Sequence, residues 1–154
     1  MKKLYMFFIL FFTATLSADI VDIKADHFYA SNINQVAYFE GNAEIKQGSN
    51  HFNSSKITVF FNKRKKAVKY IAKGSVDFDL TENGIHYTGR AEKVTYSPNS
   101  SKYFFSGRVL LNDLTNNRTI KAEKIELDLK TGLADIKGAK KQPVHFRFEI
   151  EDRK

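Results

Sequence analysis

The sequence predicts an all-β fold of repeated antiparallel hairpins, and three observations carry that expectation. Gly41, Gly74 and Gly107 stand at a fixed interval of 33 residues, with Gly138 following 31 residues later. Each is flanked at steps of two by apolar residues. Phe39, Ala72, Phe105 and Ile136 precede the glycines; Ala43 and Ile45, Val76 and Phe78, Val109 and Leu111 follow the first three. Steps of two mean strands, because successive β side chains point to opposite faces. A second frame lies between the glycines: Lys24-Ala25-Asp26-His27-Phe28, Asn53-Ser54-Ser55-Lys56-Ile57, Arg90-Ala91-Glu92-Lys93-Val94 and Lys121-Ala122-Glu123-Lys124-Ile125. Two frames recurring in order mark a repeated supersecondary unit whose apolar face is buried only by stacking on its neighbours. The small residue of the second frame, Ala or Ser, fits a bend or the close approach of another strand. Each unit is accordingly expected to hold about four short strands.

From the N-terminus, Met1-Lys2-Lys3 is a short basic region, Leu4 to Leu16 is almost wholly apolar, and Ser17-Ala18 precedes the charged Asp19. This is the pattern of a secretory signal peptide over residues 1–18, too short to span a bilayer, which needs about 20 apolar residues. Residues 19–154 then form a single domain. Within it, Val76, Phe78 and Leu80 alternate with Ser75, Asp77 and Asp79. Ile125, Leu127 and Leu129 alternate with Glu126 and Asp128, and Phe146, Phe148 and Ile150 with His145, Arg147 and Glu149. These read as antiparallel strands with one dry and one wet face. Turns are expected at Gly48-Ser49-Asn50, Glu82-Asn83-Gly84, Ser97-Pro98-Asn99, Thr115-Asn116-Asn117 and Lys130-Thr131-Gly132. Pro98 and Pro143, the two prolines, fall outside the clearest strands. Val59-Phe60-Phe61, Tyr70-Ile71-Ala72 and Tyr103-Phe104-Phe105 are apolar on both faces. A sandwich core explains most of these aromatics, and the remainder call for a ligand, a partner or a membrane as cover.

The chain has no cysteine, so nothing points to disulfides, thiolate catalysis or zinc–cysteine sites. No two of His27, His51, His86 and His145 stand at a metal-ligand spacing. Asp77 and Asp79 share a strand face, but it lies opposite an apolar one and reads as solvated surface. Phosphate-loop, dinucleotide and nucleophile-elbow motifs are lacking, so neither an enzyme nor a cofactor is expected. The net charge is +8 and the densest basic run, Asn62-Lys63-Arg64-Lys65-Lys66, falls at a hairpin tip. An export signal argues against nucleic acid as the partner; outside the cytoplasm the abundant phosphates are on lipids.

The signal, the lack of cysteine, and Phe39-Glu40-Gly41-Asn42-Ala43-Glu44-Ile45 followed by Ala/Ser-x-Lys units resemble the OstA-like family over roughly Asp22 to Gly138. Its domain recurs in the lipopolysaccharide-transport proteins LptA, LptC and the N-terminal part of LptD. Size and signal favour the first of these types. The resemblance implies an open, twisted β-jelly roll, exported to the periplasm, that carries lipopolysaccharide toward the outer membrane. Lipid A acyl chains would lie in its apolar interior. It would join head to tail with itself and with LptC-like and LptD-like OstA domains. The inward register of the frames gives the candidate lipid-binding residues: Ala43, Ile45, Ile57, Val59, Val76, Phe78, Val109, Leu111, Ile125 and Leu127. Unpaired edges are expected near Asp19 to Ala25 and Val144 to Ile150. After Gly138 the frame breaks into Lys140-Lys141-Gln142-Pro143, which marks the end of the stack. Two alternatives stand beside this reading: a membrane-anchored LptC-like relative, and a structural or adhesive β-repeat protein of the cell envelope that binds protein partners.

Overall fold

The computed structural model describes residues 20–150, so the expected signal segment lies outside the described residues. The strands are β1 (Val21–Lys24), β2 (His27–Ser31), β3 (Val36–Gln47), β4 (Asn50–Phe61), β5 (Ala67–Glu82), β6 (Ile85–Ser97), β7 (Lys102–Asp113), β8 (Arg118–Asp128), β9 (Ala134–Lys137) and β10 (His145–Phe148). All pair antiparallel in one open sheet, with β3 to β8 as a meander. β1 and β2 lie end to end along β3, and β9 and β10 along β8, so the sheet is eight rows wide. Every turn read from the sequence joins two of these strands.

The four short strands expected per unit are in fact two long ones, each bent near its middle. β3 to β8 run from 11 to 16 residues. The repeat glycine does not end a strand; it makes a bulge inside one. Gly41-Asn42 stand opposite Ser55 alone, Gly74-Ser75 opposite Glu92, and Gly107-Arg108 opposite Glu123, where the registers shift. An extra residue bends the strand and increases its twist. Both residues of each bulge are left-handed, with φ of +82° and +46°, +86° and +50°, and +82° and +48°. Glycine is required for a second reason: a Cβ on Gly41 would stand 2.7 Å from the Asp26 carboxylate, one on Gly74 2.8 Å from Ser55, and one on Gly107 2.5 Å from the Glu92 carboxylate. Each glycine is thus roofed by the second-frame polar residue of the preceding row, which locks the two sequence frames together. Gly138 is different. It lies outside the left-handed region, and the segment from Gly138 to Val144 replaces the two-residue bulge with a loop closed by an Ala139–Gln142 bridge.

Inward side chains form ladders across the rows. On one side of the bend runs Phe39–Ile57–Ala72–Val94–Phe105–Ile125–Ile136. On the other runs Ile45–Phe52–Phe78–Gly89–Leu111–Ile120–Phe146. Between them, small residues sit in the crease: Ala43 faces Ser54, Val76 faces Ala91, and Val109 faces Ala122. The Phe78 ring tip would stand 2.8 Å from a Cβ on Gly89, so that glycine makes room for the ring. Burying a large apolar side chain is worth about 1.5–3 kcal/mol, and these ladders are what hold the bent sheet shut.

Candidate functional site

Bending the long strands at the line of bulges in β3, β5 and β7 brings the two halves of the sheet face to face. The turns at Gly48-Ser49, Asn83-Gly84 and Leu114–Asn117 form one rim; those at Asn62–Lys66, Pro98–Ser101 and Leu129–Leu133 form the other. The rims touch at two places. Asn83 Nδ2 donates to the Leu129 carbonyl oxygen at 3.0 Å. The Tyr103 hydroxyl donates to Glu82 Oε1 at 3.2 Å, and Asn50 Nδ2 donates to the same carboxylate oxygen at 2.9 Å. Tyr103 is only 3% exposed. Its ring lies 4.4 Å from Tyr96, 5.9 Å from Phe105 and 6.1 Å from Phe52, which belongs to the opposite half. Burial, with the Glu82 charge behind it, pushes the Tyr103 phenol far above its ordinary pKa, and burial raises Tyr70 and Tyr96 as well. Tyr103 is therefore a neutral donor at every physiological pH.

Between the halves lies an apolar cleft lined by Ile45, Gln47, Asn50, Phe52, Ile57, Tyr70, Ala72, Val94, Tyr96 and Tyr103. The free space within it is about 40 Å³, room for roughly three water-sized probes. Of the ten interior residues read from the sequence, only Ile45 and Ile57 line this cleft. Ala43, Ile57, Val59, Val76, Phe78, Val109, Leu111, Ile125 and Leu127 are fully buried and Ile45 is half-buried against them. Ala43, Val76 and Val109 lie in the crease; Ile57 and Ile125 stand on one side of it and Ile45, Phe78 and Leu111 on the other, with Val59 and Leu127 two residues farther out. The residues that sequence reasoning missed, Phe52, Tyr70, Tyr96 and Tyr103, stand level with residues it named: Phe52 pairs with Ile45 and Phe78, Tyr70 with Val59, and Tyr103 with Leu127. A signal for them existed: Tyr70 and Tyr103 each stand four residues before a repeat glycine.

The ladders end at two open edges. Phe28 is 57% exposed on the β2 edge, and Phe146 and Phe148 are 46% and 54% exposed on the β10 edge, their rings 5.3 Å apart. The alternation of Phe146, Phe148 and Ile150 predicts a dry face; in the isolated chain that face is exposed, because β10 is the last row and nothing lies beyond it. Both expected edges therefore exist, the first extending through β2. Among the described residues no cluster of histidine and carboxylates has the make-up of a metal site. Three histidines each stand by a single carboxylate, His27 by Glu40, His51 by Glu44 and His86 by Asp79. No described helix is long and apolar enough to cross a membrane.

Residues 22–133 match the family described as LptA/(LptD N-terminal domain) LPS transport protein. No curated protein matches the chain in sequence. Among solved structures, the chain is similar to LptH, the LptA-homologous periplasmic component of the lipopolysaccharide transport device of Pseudomonas aeruginosa. The TM-score is 0.74 at 13% identity, over 86% of this chain and 96% of that one. At that identity the likeness speaks for the fold: an all-β, unclosed antiparallel sheet of the LptA-like β-jelly-roll kind.

Proposed function

The chain belongs to the LptA/(LptD N-terminal domain) family of LPS transport proteins, which are carriers and not enzymes, and on that premise we propose that it binds lipopolysaccharide in the periplasm with the acyl chains of lipid A between the two halves of its sheet. The observation that carries this reading is the aromatic cleft, apolar across successive rows from β3 to β7 of an unclosed sheet. The cleft is too small for acyl chains when latched, so lipid enters by parting the rims. Magnitudes favour this. Burying a dozen methylenes is worth about 10 kcal/mol, against about 1 kcal/mol for each hydrogen bond broken at Glu82 and Leu129.

In the same reading residues 1–18 are a signal peptide removed on export, and residues 19–154 are the working domain. The ten core residues Ala43, Ile45, Ile57, Val59, Val76, Phe78, Val109, Leu111, Ile125 and Leu127 form the floor that the acyl chains reach once the rims part. Copies join head to tail, β10 of one to the β1–β2 edge of the next, and the same edges accept LptC-like and LptD-like OstA domains. Unpaired edges offer main-chain hydrogen bonds, and the exposed Phe28, Phe146 and Phe148 would be covered by the joint. Delivery runs from inner to outer membrane.

A photocrosslinking amino acid at Tyr70, inside the cleft, is expected to capture lipopolysaccharide; one at Thr95, on the outward face opposite Phe104, is not. Equal capture at both positions, or none at Tyr70, overturns the reading.

A further inference from the structure

On the outward face of β6 to β8 lies a second concavity, of about 600 Å³, formed where the loop from Gly138 to Val144 passes beside the Gly107-Arg108 bulge. Four cations line it: Arg90, Arg108, Lys121 and Lys141, with His145 beside them. Arg90, Leu110, Lys121 and His145 are register neighbours on successive rows, pointing away from the cleft. Arg108 is the second, left-handed residue of its bulge, which carries its side chain clear of the pleat. Glu123 is the one carboxylate in the lining. Arg108 has Glu92 at 3.8 Å, but among the described residues no carboxylate lies within 4.0 Å of Arg90, Lys121 or Lys141. Asp77, the cross-strand neighbour of Arg90, makes no ion pair with it.

The repeat supplies an internal comparison. The same backbone device also makes a hollow of about 520 Å³ between the first two bulges, its polar lining being Asn42, Glu44, Asn53, Ser54, Ser55 and Ser75. There the position of Arg108 is Ser75 or Asn42, and the position of Arg90 and Lys121 is Asn53. A hollow of similar volume with a lining that holds no cation shows that the bulge by itself does not require them. Like charges brought together without partners repel one another, and that arrangement is relieved by an anion. Arginine forks match phosphate oxygens two at a time, and lysine adds point charge. A concave site of this volume suits a discrete headgroup better than a flat surface.

We propose that this hollow is an anion site for a phosphate monoester, either on a soluble ligand or at the head of a lipid. It lies on the face of the sheet opposite the acyl cleft, so it stands or falls independently of the cleft.

The test is calorimetric titration of the mature chain, at fixed salt, with glucosamine 6-phosphate, with glucosamine as the unphosphorylated control. The same protein is titrated with lipopolysaccharide before and after phosphatase treatment. The double variant R90Q/K121Q is expected to lose roughly tenfold or more in affinity for the phosphorylated sugar. The double variant K63Q/K65Q removes the same charge at the hairpin tip and is expected to stay within about twofold, as distant exposed charges are screened. Thermal unfolding in phosphate-free buffer checks that both variants fold. A matching loss for untreated lipopolysaccharide assigns the site to a lipid headgroup; loss for the sugar phosphate alone assigns it to a soluble ligand. Equal losses in the two double variants, or no preference for phosphorylated over plain sugar, overturn the proposal.

Discussion

The Ser55 hydroxyl donates a hydrogen bond to the Gly74 carbonyl oxygen at 3.2 Å, while both Ser55 Cβ and Oγ would stand 2.8 Å from a Cβ on that glycine. Bond and close approach together fix where β5 bends against β4. The close approach recurs at Gly41 and Gly107, under Asp26 and Glu92, and its removal has a measurable sign.

Gly74→Ala is expected to destabilise the domain by roughly 2–4 kcal/mol, combining left-handed strain with overpacking. Gly84→Ala shares the strain, with φ of +77°, but meets nothing within 4 Å, and should cost only about 1–2 kcal/mol. Urea unfolding of both variants separates the two contributions. Equal losses would mean that the roof over Gly74 carries no weight.

Tyr103→Phe keeps the ring and its stacking but removes the donor to Glu82. The unliganded protein should lose about 1 kcal/mol, yet load lipopolysaccharide faster, because one of the bonds across the rims is gone. Stopped-flow uptake, compared with wild type, decides it. Unchanged uptake with the stability loss intact would show that the rims do not part at this point.

Asp113 gives a pH dependence. It is 4% exposed. Burial pushes its carboxyl upward, but donation from Asn116 and Arg118, with Arg118 Nε at 3.0 Å, outweighs that and holds it below the ordinary value. A carboxyl depressed in the folded state adds stability above its unfolded pKa, about 3.9, and that stability fades as pH falls through the lower folded value. Acid unfolding should therefore steepen below about pH 4 in wild type. Asp113→Asn should be less stable at neutral pH and flatter in that window; an unchanged acid limb would remove Asp113 as its source.

Phe78→Ala and Tyr70→Ala should diverge. Phe78 is 4% exposed beside the crease, so its loss costs about 3–5 kcal/mol and weakens lipid binding together with the fold. Tyr70 is half-buried along the cleft. Its variant should remain folded by circular dichroism and bind lipid more weakly. A folded Tyr70 variant with full affinity would exclude that ring from the site.

Much of this was legible before any coordinates. The 33-residue interval gives the repeat, period-two alternation gives the faces, and turn residues give the hairpin ends. What alternation cannot show is that Gly-Asn, Gly-Ser and Gly-Arg bend a strand without ending it, because a bulge and a turn use the same left-handed residues. Nor does the inward register separate crease from cleft: Val76 and Tyr70 share a face of β5 and differ only in distance from the fold line. Arg90, Arg108 and Lys121 lie up to 31 residues apart in sequence, and only the cross-strand register sets them side by side.

Backbone contacts between strands run only between rows adjacent in the sheet. Such a chain can zip hairpin by hairpin, without waiting for distant segments to meet. It also makes size a matter of counting. Each 33-residue unit lays down two rows, about 10 Å of additional sheet width, so duplication or deletion of a whole unit would lengthen or shorten the cleft in fixed steps while leaving both terminal rows unchanged.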